Sequence, residues 1–391
     1  LAEAEVVVDV GSEAPWVLDL LQELVDASWL QVDGAGRFGC WTLVQAFAAQ
    51  QLGADARGEA EARHGAAFAT LDAREVARRP QELANLLAAC RRAVARGDDG
   101  VAAATLWTAW ALVQQRGPLG TGVAVAREVA SSLAPGSLAS ARADLVWAMA
   151  LEAVGEETAA VAPLQRALST ARTLGDRRAE SHVIRRLGGL AALRGDARQA
   201  AEHYTTAAKL ARQAGDVRLE GHAVGVQANL AMAGGDLAGA ERAYGESLSL
   251  ARTAGDRAFE AMLLGNLGVL CTLREDLAAA RRRYREALAL HEALGDRRSL
   301  GLVWGNLGVV EGAAGDGEAA EAALRQARDV AREVGDRRTE SIALANLGSV
   351  LLDQGRVGEA RISAQAAQLR ARALDDGRVE ATAHIVLARV A

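Results

Sequence analysis

Apolar and polar positions alternate with a helical period over most of the chain. From residue 175 to residue 374 apolar residues recur three and four positions apart, and no proline interrupts them. Gly-Asp pairs separate these stretches. They lie at 175–176, 215–216, 255–256, 295–296 and 335–336, so each follows the previous one by 40 residues. A second break lies 20 residues after each pair, and the pattern therefore predicts two helices in every 40 residues.

The two residues of each pair have separate roles in this prediction. Glycine adopts the left-handed conformation that ends a helix, and aspartate accepts a hydrogen bond from the first turn of the next one. The second breaks mostly have the same composition. They are Gly195-Asp196, Gly235-Asp236, Glu275-Asp276, Gly315-Asp316 and Gly355-Arg356.

Small and aromatic residues also recur in this register. They are the Leu-Gly pairs ending at Gly188, Gly268, Gly308 and Gly348, the alanines at 200, 240, 280, 320 and 360, and the tyrosines Tyr204, Tyr244 and Tyr284. This order resembles the tetratricopeptide repeat, in a form longer than its usual length of about 34 residues. The resemblance covers 97–391, with core repeats at 135–374 and a final helix at 376–391. It implies an all-α fold, a right-handed α-α superhelix whose first helices line a concave groove.

The first 58 residues have a different pattern. It predicts a helix from Trp16 to Val25, a β-hairpin over 29–41 that turns at Asp33-Gly34-Ala35-Gly36, and a helix from Thr42 to Leu52. We expect the tryptophans at 16, 29 and 41 to pack inside this segment, and those at 107, 110, 147 and 304 to lie in the helical core. The expected divisions are 1–58, connecting helices at 59–96 and the array at 97–391.

Helix, hairpin and helix in this order resemble the winged-helix segment that follows the nucleotide-binding core of STAND-class signalling ATPases, such as NB-ARC and maltose-regulator-like proteins. The resemblance implies the C-terminal sensor part of a bacterial signal-transduction protein. The chain begins with Leu1 rather than methionine, so we expect a piece of a longer protein whose ATPase core lies elsewhere.

Composition and net charge disfavour several classes of function. Half of the residues are apolar but only 4% are aromatic, which favours helices rich in Ala and Leu. A net charge of −6 disfavours nucleic-acid binding. The three cysteines have neither disulfide nor metal-site spacing, which favours a cytoplasmic location. Lys209 is the one lysine and does not follow glycine, so the chain has no phosphate-binding P-loop. We expect no enzyme activity, no cofactor and no membrane span.

Some positions recur every 40 residues on the first helices and are predicted to face the groove. Each such series of equivalent positions is called a column, and the columns supply the candidate binding residues. They are His182, Arg185, Arg186, His222, Asn229, Met262, Asn266, Asn306 and Asn346. The asparagines either bind the main chain of a peptide or lock one repeat to the next. A parallel glycine column, at 225, 265 and 305, either admits a ligand or serves helix packing. The histidines are weak evidence for a metal, and the two arginines either prefer an anion or are simply solvated.

The leading prediction is therefore a sensor or scaffold module that binds a protein or peptide in the groove and relays this to an absent effector. The alternative is a transcription regulator whose winged helix contacts DNA, although Arg37 and Arg57 are its few basic residues. A passive scaffold and catalysis by absent neighbouring domains are further alternatives. We expect the paired arginines at 177–178, 297–298 and 337–338 to form ion pairs between repeats, and the run Arg281-Arg282-Arg283 to face solvent.

Overall fold

The structure is a computed structural model that describes residues 17–33, 37–72, 76 and 79–390. In this part of the chain there are nineteen α-helices, a short 3-10 turn and two short strands. The chain divides into two compact units between Leu187 and Gly188, here called unit 1 and unit 2. Within the described residues no helix is both long and apolar enough to cross a membrane.

Unit 1 begins with the predicted order of helix, hairpin and helix. Its elements are α1 (Val17–Asp26), β1 (Leu30–Val32), β2 (Phe38–Cys40) and α2 (Thr42–Gln51). The strands are antiparallel, with Leu30 opposite Cys40 and Val32 opposite Phe38. Trp16 and the turn at 34–36 lie outside the described residues. The two strands are only three residues long, so the assignment of a winged helix stays a prediction.

The expected packing of the tryptophans is wrong for this segment. Trp29 is 45% exposed and Trp41 is 54% exposed. Trp29 and Phe47 form an edge-to-face contact, with 6.2 Å between ring centroids. Among the side chains of this segment that the structure describes, Val17 is the one buried hydrophobic group, so much of the aromatic surface lies in solvent.

The rest of unit 1 is helical. Its helices are α3 (Ala54–Ala69), α4 (Leu83–Arg96), α5 (Asp99–Arg116), α6 (Leu119–Ser132), α7 (Leu138–Ala153) and α8 (Glu157–Leu174), with a 3-10 turn at Pro80–Glu82. Phe68, Leu86 and Leu112 form a buried cluster where α3, α4 and α5 meet. Trp110 is buried as expected, and Arg166 lies over the ring of Trp147 at 5.2 Å.

Helix α9 (Arg177–Leu193) contains the boundary, and unit 2 continues with helices of similar length. They are α10 (Ala197–Gln213), α11 (Val217–Ala233), α12 (Leu237–Thr253), α13 (Arg257–Leu273), α14 (Leu277–Leu294), α15 (Arg297–Ala313), α16 (Gly317–Glu333), α17 (Arg337–Asp353), α18 (Val357–Ala373) and α19 (Gly377–Val390). Each packs on the next from α10 onward. The odd-numbered helices from α11 to α19 also contact one another, so the first helices of successive repeats form one layer.

The predicted helix boundaries are confirmed. The glycines at 175, 215, 255, 295 and 335 have φ between 62° and 71°, in the left-handed region. The aspartate after each one caps the next helix by accepting a hydrogen bond from the backbone N–H three residues on, at 2.9 to 3.4 Å. The fixed spacing of Gly-Asp pairs thus gives helices of nearly constant length.

The glycines of two Leu-Gly pairs, Gly188 and Gly268, accommodate the aromatic residue of the second helix. A Cβ atom at Gly188 would lie 2.6 Å from the Tyr204 ring. At Gly268 it would likewise overlap the ring of Tyr284, whose side chain is fully enclosed. Because real Cβ atoms do not approach so closely, glycine lets the two helices of a repeat pack around the ring.

Arginine-carboxylate pairs repeat with the same 40-residue period. One set joins residues eight apart across the turn between repeats, at 2.6 to 2.9 Å. Its members are Arg172–Glu180, Arg212–Glu220, Arg252–Glu260, Arg332–Glu340 and Arg372–Glu380. A second set joins a first helix to the capping aspartate of the next repeat, as in Arg298–Asp336 and Arg338–Asp376. The expected ion pairs between repeats are therefore present for Arg298 and Arg338.

The prediction of a solvent-facing run at 281–283 is wrong for its first residue. Arg281 bonds to the carboxylate of Glu311, and Arg285 bonds to the same group at 3.1 Å. Glu311 is buried, with 3% exposure. The partner lies one helix further along the chain, so the run of three arginines carried no sign of it.

Candidate partner-binding face

One side of the layer of first helices in unit 2 carries an uncharged strip. We call this strip the first-helix face. It consists of Met262, Gly265, Asn266 and Val269 on α13, Leu302, Gly305, Asn306 and Val309 on α15, and Ile342, Asn346 and Ser349 on α17. These positions are three or four apart on each helix, so they share one side of it. None of the eleven residues is ionisable.

Apolar side chains are left open along the middle of this face. Met262, Leu302 and Val309 are 45%, 48% and 44% exposed. Charges lie at the helix ends instead, where they already have partners. Arg298 and Arg338 pair with capping aspartates, and Asp353 pairs with Arg389 at 3.1 Å. The face therefore offers apolar and amide groups with a charged border.

The asparagines of the groove columns have different environments. Asn266 donates from Nδ2 to Oδ1 of Asn229 at 3.2 Å, which joins α13 to α11. Oδ1 of Asn229 also accepts a hydrogen bond from the Tyr244 hydroxyl at 2.6 Å, and burial raises the pKa of that tyrosine to about 12. Asn306 and Asn346 form no side-chain hydrogen bond with any residue that the structure describes. Asn266 thus locks repeats together, while Asn306 and Asn346 keep their amides available.

The glycines at 225, 265 and 305 also differ in how closely other atoms surround them. At Gly225 a Cβ atom would lie 2.9 Å from Cζ of Phe259 and 3.0 Å from Oγ of Ser247, so packing requires glycine there. At Gly265 and Gly305 the nearest side-chain atom would be 3.8 Å away, an ordinary contact. A side chain could be accommodated at these two positions, so their openness is not a packing requirement.

His222 is engaged within unit 2. Its Nε2 lies 3.1 Å from Oδ2 of Asp256, and its ring stacks on Phe259 at 3.9 Å between centroids. Burial alone would raise the pKa of Asp256, but hydrogen bonds from His222 and Arg218 hold it well below its usual range. The carboxylate that caps α13 thereby also ties α11 to it.

The remaining candidates lie on the part of α9 that belongs to unit 1. His182 contacts the edge of the Trp107 ring, with 5.9 Å between centroids. Arg186 pairs with Glu152 at 3.0 Å. Burial raises the pKa of Glu152, and the charges of Arg186 and Arg185 oppose this shift. Among the residues described here, no three His, Cys, Asp or Glu side chains come together as a metal site.

Comparison with known proteins agrees with this geometry. Residues 299–368 match the family model of the tetratricopeptide repeat. Two helix pairs of unit 2, α15 with α16 and α17 with α18, fall largely within this match. No curated protein matches the sequence at a significant level.

Solved structures share the fold at low identity. A STAND protein with a tetratricopeptide repeat sensor from Pyrococcus horikoshii is 13% identical, with a TM-score of 0.70. The match covers 96% of this chain and 55% of that one, so the chain spans about half of the STAND protein. The Cut9-Hcn1 hetero-tetramer of the APC/C is 15% identical over 89% of this chain and 58% of that chain, with a TM-score of 0.58.

A Rap protein complexed with competence and sporulation factor is 12% identical, with a TM-score of 0.53. The match covers 80% of this chain and 98% of the Rap chain. Identities at this level show a shared fold alone.

Proposed function

We propose that this chain is the partner-binding module of a signalling or regulatory protein, and that it holds a protein or peptide on the first-helix face. The observation that carries the proposal is the combination of exposed apolar side chains with the free amides of Asn306 and Asn346. An amide offers one acceptor and two donors, which suits the N–H and C=O groups of an extended main chain. The absence of charge on the face favours a partner segment that is itself apolar and uncharged.

The residues contribute unequally in this proposal. Met262, Leu302 and Val309 bury apolar side chains of the partner, while Gly305 lets its backbone approach. Asn229, Asn266 and His222 are already hydrogen-bonded within the array, so they shape the face more than they bind. His182, Arg185 and Arg186 are proposed as contacts of unit 1 for a polar or acidic part of a partner.

The comparisons support a role in relaying a signal. The fold is shared with the repeat sensor of a STAND ATPase and with a Rap protein solved with competence and sporulation factor. By analogy the array senses a partner, and a neighbouring effector such as an ATPase responds. The DNA-binding alternative receives less support, since Arg37 pairs with Glu82 at 3.2 Å and Arg57 pairs with Glu61 at 3.1 Å.

A displayed library of random peptides, selected on the purified chain, tests the proposal. We expect selected peptides to be rich in apolar residues. Gly305→Trp fills the open position on the face and should weaken their binding at least tenfold. The double substitution of Asn306 and Asn346 by Ala should weaken it severalfold.

Leu369→Trp is the matched control, because Leu369 lies on a second helix and is already 71% exposed. It should leave the affinity unchanged. If peptides bind Gly305→Trp as tightly as the unchanged chain, the first-helix face is not the binding site.

A further inference from the structure

A second site of different chemistry lies where α12, α13 and α14 meet. It is a cleft of about 240 Å³, which we call the arginine cleft. Leu267, Leu270, Cys271 and Ala279 form its apolar floor. Its charged walls are Glu241, Arg274, Asp276, Arg282 and Arg283. None of these residues belongs to the first-helix face.

Both carboxylates of the cleft are already engaged. Glu241 pairs with Arg274 at 2.5 Å. Asp276 caps α14 and accepts a hydrogen bond from the backbone N–H of Ala279 at 2.9 Å. The carboxylate of Glu241 is therefore paired with a cation, and that of Asp276 is held by the backbone.

The guanidinium groups are less fully engaged. Arg283 pairs with Glu286 at 3.3 Å, on a half-exposed surface where such pairs are weak. Arg282 is exposed and forms no ion pair with any residue in the described part of the chain. The cleft thus presents positive charge above an apolar floor.

Departures from the repeat explain why the cleft occurs at this position. One repeat further on, the residue equivalent to Cys271 is Glu311, whose buried carboxylate is held by Arg281 and Arg285. The residues equivalent to Arg281 and Arg285 one repeat earlier are Glu241 and Gly245, so the arginine pair that surrounds Glu311 has no counterpart beside Cys271.

The adjoining turn is also unusual. Glu275 has φ of 61°, whereas the equivalent residues at 195, 235, 315 and 355 are glycines. A non-glycine residue in this conformation costs about 1 kcal/mol, and such strain is often found near functional sites.

We propose that the arginine cleft binds a small organic anion. Its apolar body would rest on Leu267, Leu270 and Cys271, and its acidic group would bond to Arg282 and Arg283. The volume corresponds to about eight water molecules, which suits a compact ring with one carboxylate or phosphate. Guanidinium groups bind both of these groups through paired hydrogen bonds.

Binding of an anion in the arginine cleft can be measured through the thiol of Cys271, whose alkylation a bound ligand would slow. Burial raises its pKa, so alkylation is best followed at alkaline pH. Cys90 is buried and donates to the carbonyl of Ala102 at 3.3 Å, so replacing Cys40 by Ser leaves Cys271 as the reactive thiol. The rate of its alkylation by iodoacetamide is measured at constant ionic strength with benzoate, phenyl phosphate, benzamide or inorganic phosphate.

We expect benzoate or phenyl phosphate to slow alkylation at least fivefold at saturation, and the better of the two identifies the acidic group. Benzamide lacks the charge and inorganic phosphate lacks the ring, so neither should protect. Equal protection by either of these two would overturn the assigned chemistry. Failure of both aromatic anions to protect would overturn the site itself.

Substitution of Arg282 by Ala provides the second test. Arg282 is exposed, so the variant should fold, and circular dichroism verifies this. We expect it to lose the protection. Arg242→Ala is the matched control, because Arg242 occupies the same register position one repeat earlier and lies outside the cleft. Protection that persists in Arg282→Ala, or that disappears equally in Arg242→Ala, would contradict the proposal.

Discussion

Two glycines on one helix allow a test of whether close packing requires glycine at a position where alanine has the higher helix propensity. Gly305 and Gly308 both lie on α15, within the segment that matches the repeat family. In an exposed helix, Gly→Ala gains about 1 kcal/mol because alanine has the higher helix propensity. The same substitution should therefore stabilise both positions unless the added methyl group meets a neighbour.

The two environments differ in this respect. A Cβ atom at position 308 would lie 2.6 Å from Cγ of Leu324, 2.9 Å from its Cδ2 and 3.3 Å from the carbonyl oxygen of Ala320. Leu324 is fully buried and the carbonyl belongs to a helix, so neither can move freely. Overpacking of this kind costs about 1 to 3 kcal/mol. After the gain in propensity, Gly308→Ala should destabilise the array by about 1 kcal/mol.

At position 305 the nearest atom would be Cβ of Ala327 at 3.8 Å, so Gly305→Ala should stabilise by about 0.5 to 1 kcal/mol. The two variants should then differ by nearly 2 kcal/mol, or by about 4 to 8 °C in Tm. Thermal unfolding followed by circular dichroism at 222 nm measures this difference. If Gly308→Ala melts at or above Gly305→Ala, the proposed role of the Leu-Gly glycine is incorrect.

Three further substitutions test the polar contacts and the strained turn. The pKa of Asp256 is depressed in the folded state, so its stabilising contribution is present above its unfolded pKa of about 3.9 and is lost as pH falls. Asp256→Asn should therefore cost about 2 kcal/mol in urea unfolding at pH 7 and clearly less at pH 2.5, whereas an equal loss at both would contradict the assignment. Glu311→Gln should cost about 2 kcal/mol because two arginines lose their charged partner, while its exposed control Glu286→Gln should change stability by less than about 0.5 kcal/mol. Glu275→Gly should raise stability by about 1 kcal/mol, and an unchanged or lower Tm would show that the turn is not strained.

The helical array was predictable because its signals are local and periodic. Gly-Asp specifies a helix end and a helix start within two residues, and five repeats of it leave little freedom in the boundaries. The Leu-Gly and Tyr positions were predictable for a similar reason, since both recur in a fixed register. Gly188 and Tyr204 meet as that register implies.

Contacts between residues that are distant in the sequence were harder to predict. The buried carboxylate of Glu311 meets Arg281 from a different helix, and the sequence around Arg281 contains no sign of this. The glycine column shows the same limit. Gly225 and Gly305 occupy equivalent positions, yet Phe259 crowds the first and nothing comparable lies near the second. What faces a residue depends on its neighbours in space, and these vary from repeat to repeat.

Several irregular positions of unit 2 lie around α13, α14 and the start of α15. Ala258 replaces the arginine that pairs with a capping aspartate elsewhere, and His291 lies 3.1 Å from Asp296 in its place. This contact lowers the pKa of Asp296 to about 2. His291 is buried where the equivalent residues at 211, 251, 331 and 371 are alanines. Glu275 lies in the turn between α13 and α14, which both border the arginine cleft.

A repeat array obtains its fold from the positions that stay constant, because each interface repeats the previous one. Positions that depart from the pattern lose a stabilising contact or add strain, as the left-handed Glu275 does. Several of the departures in unit 2 lie on or between α13 and α14, which border the arginine cleft, while Arg356 and Asp375 depart from the pattern elsewhere. We therefore expect specific recognition in this array where the repeat is least regular. The uniform first-helix face suits a partner that it contacts mainly through the partner's backbone and apolar side chains.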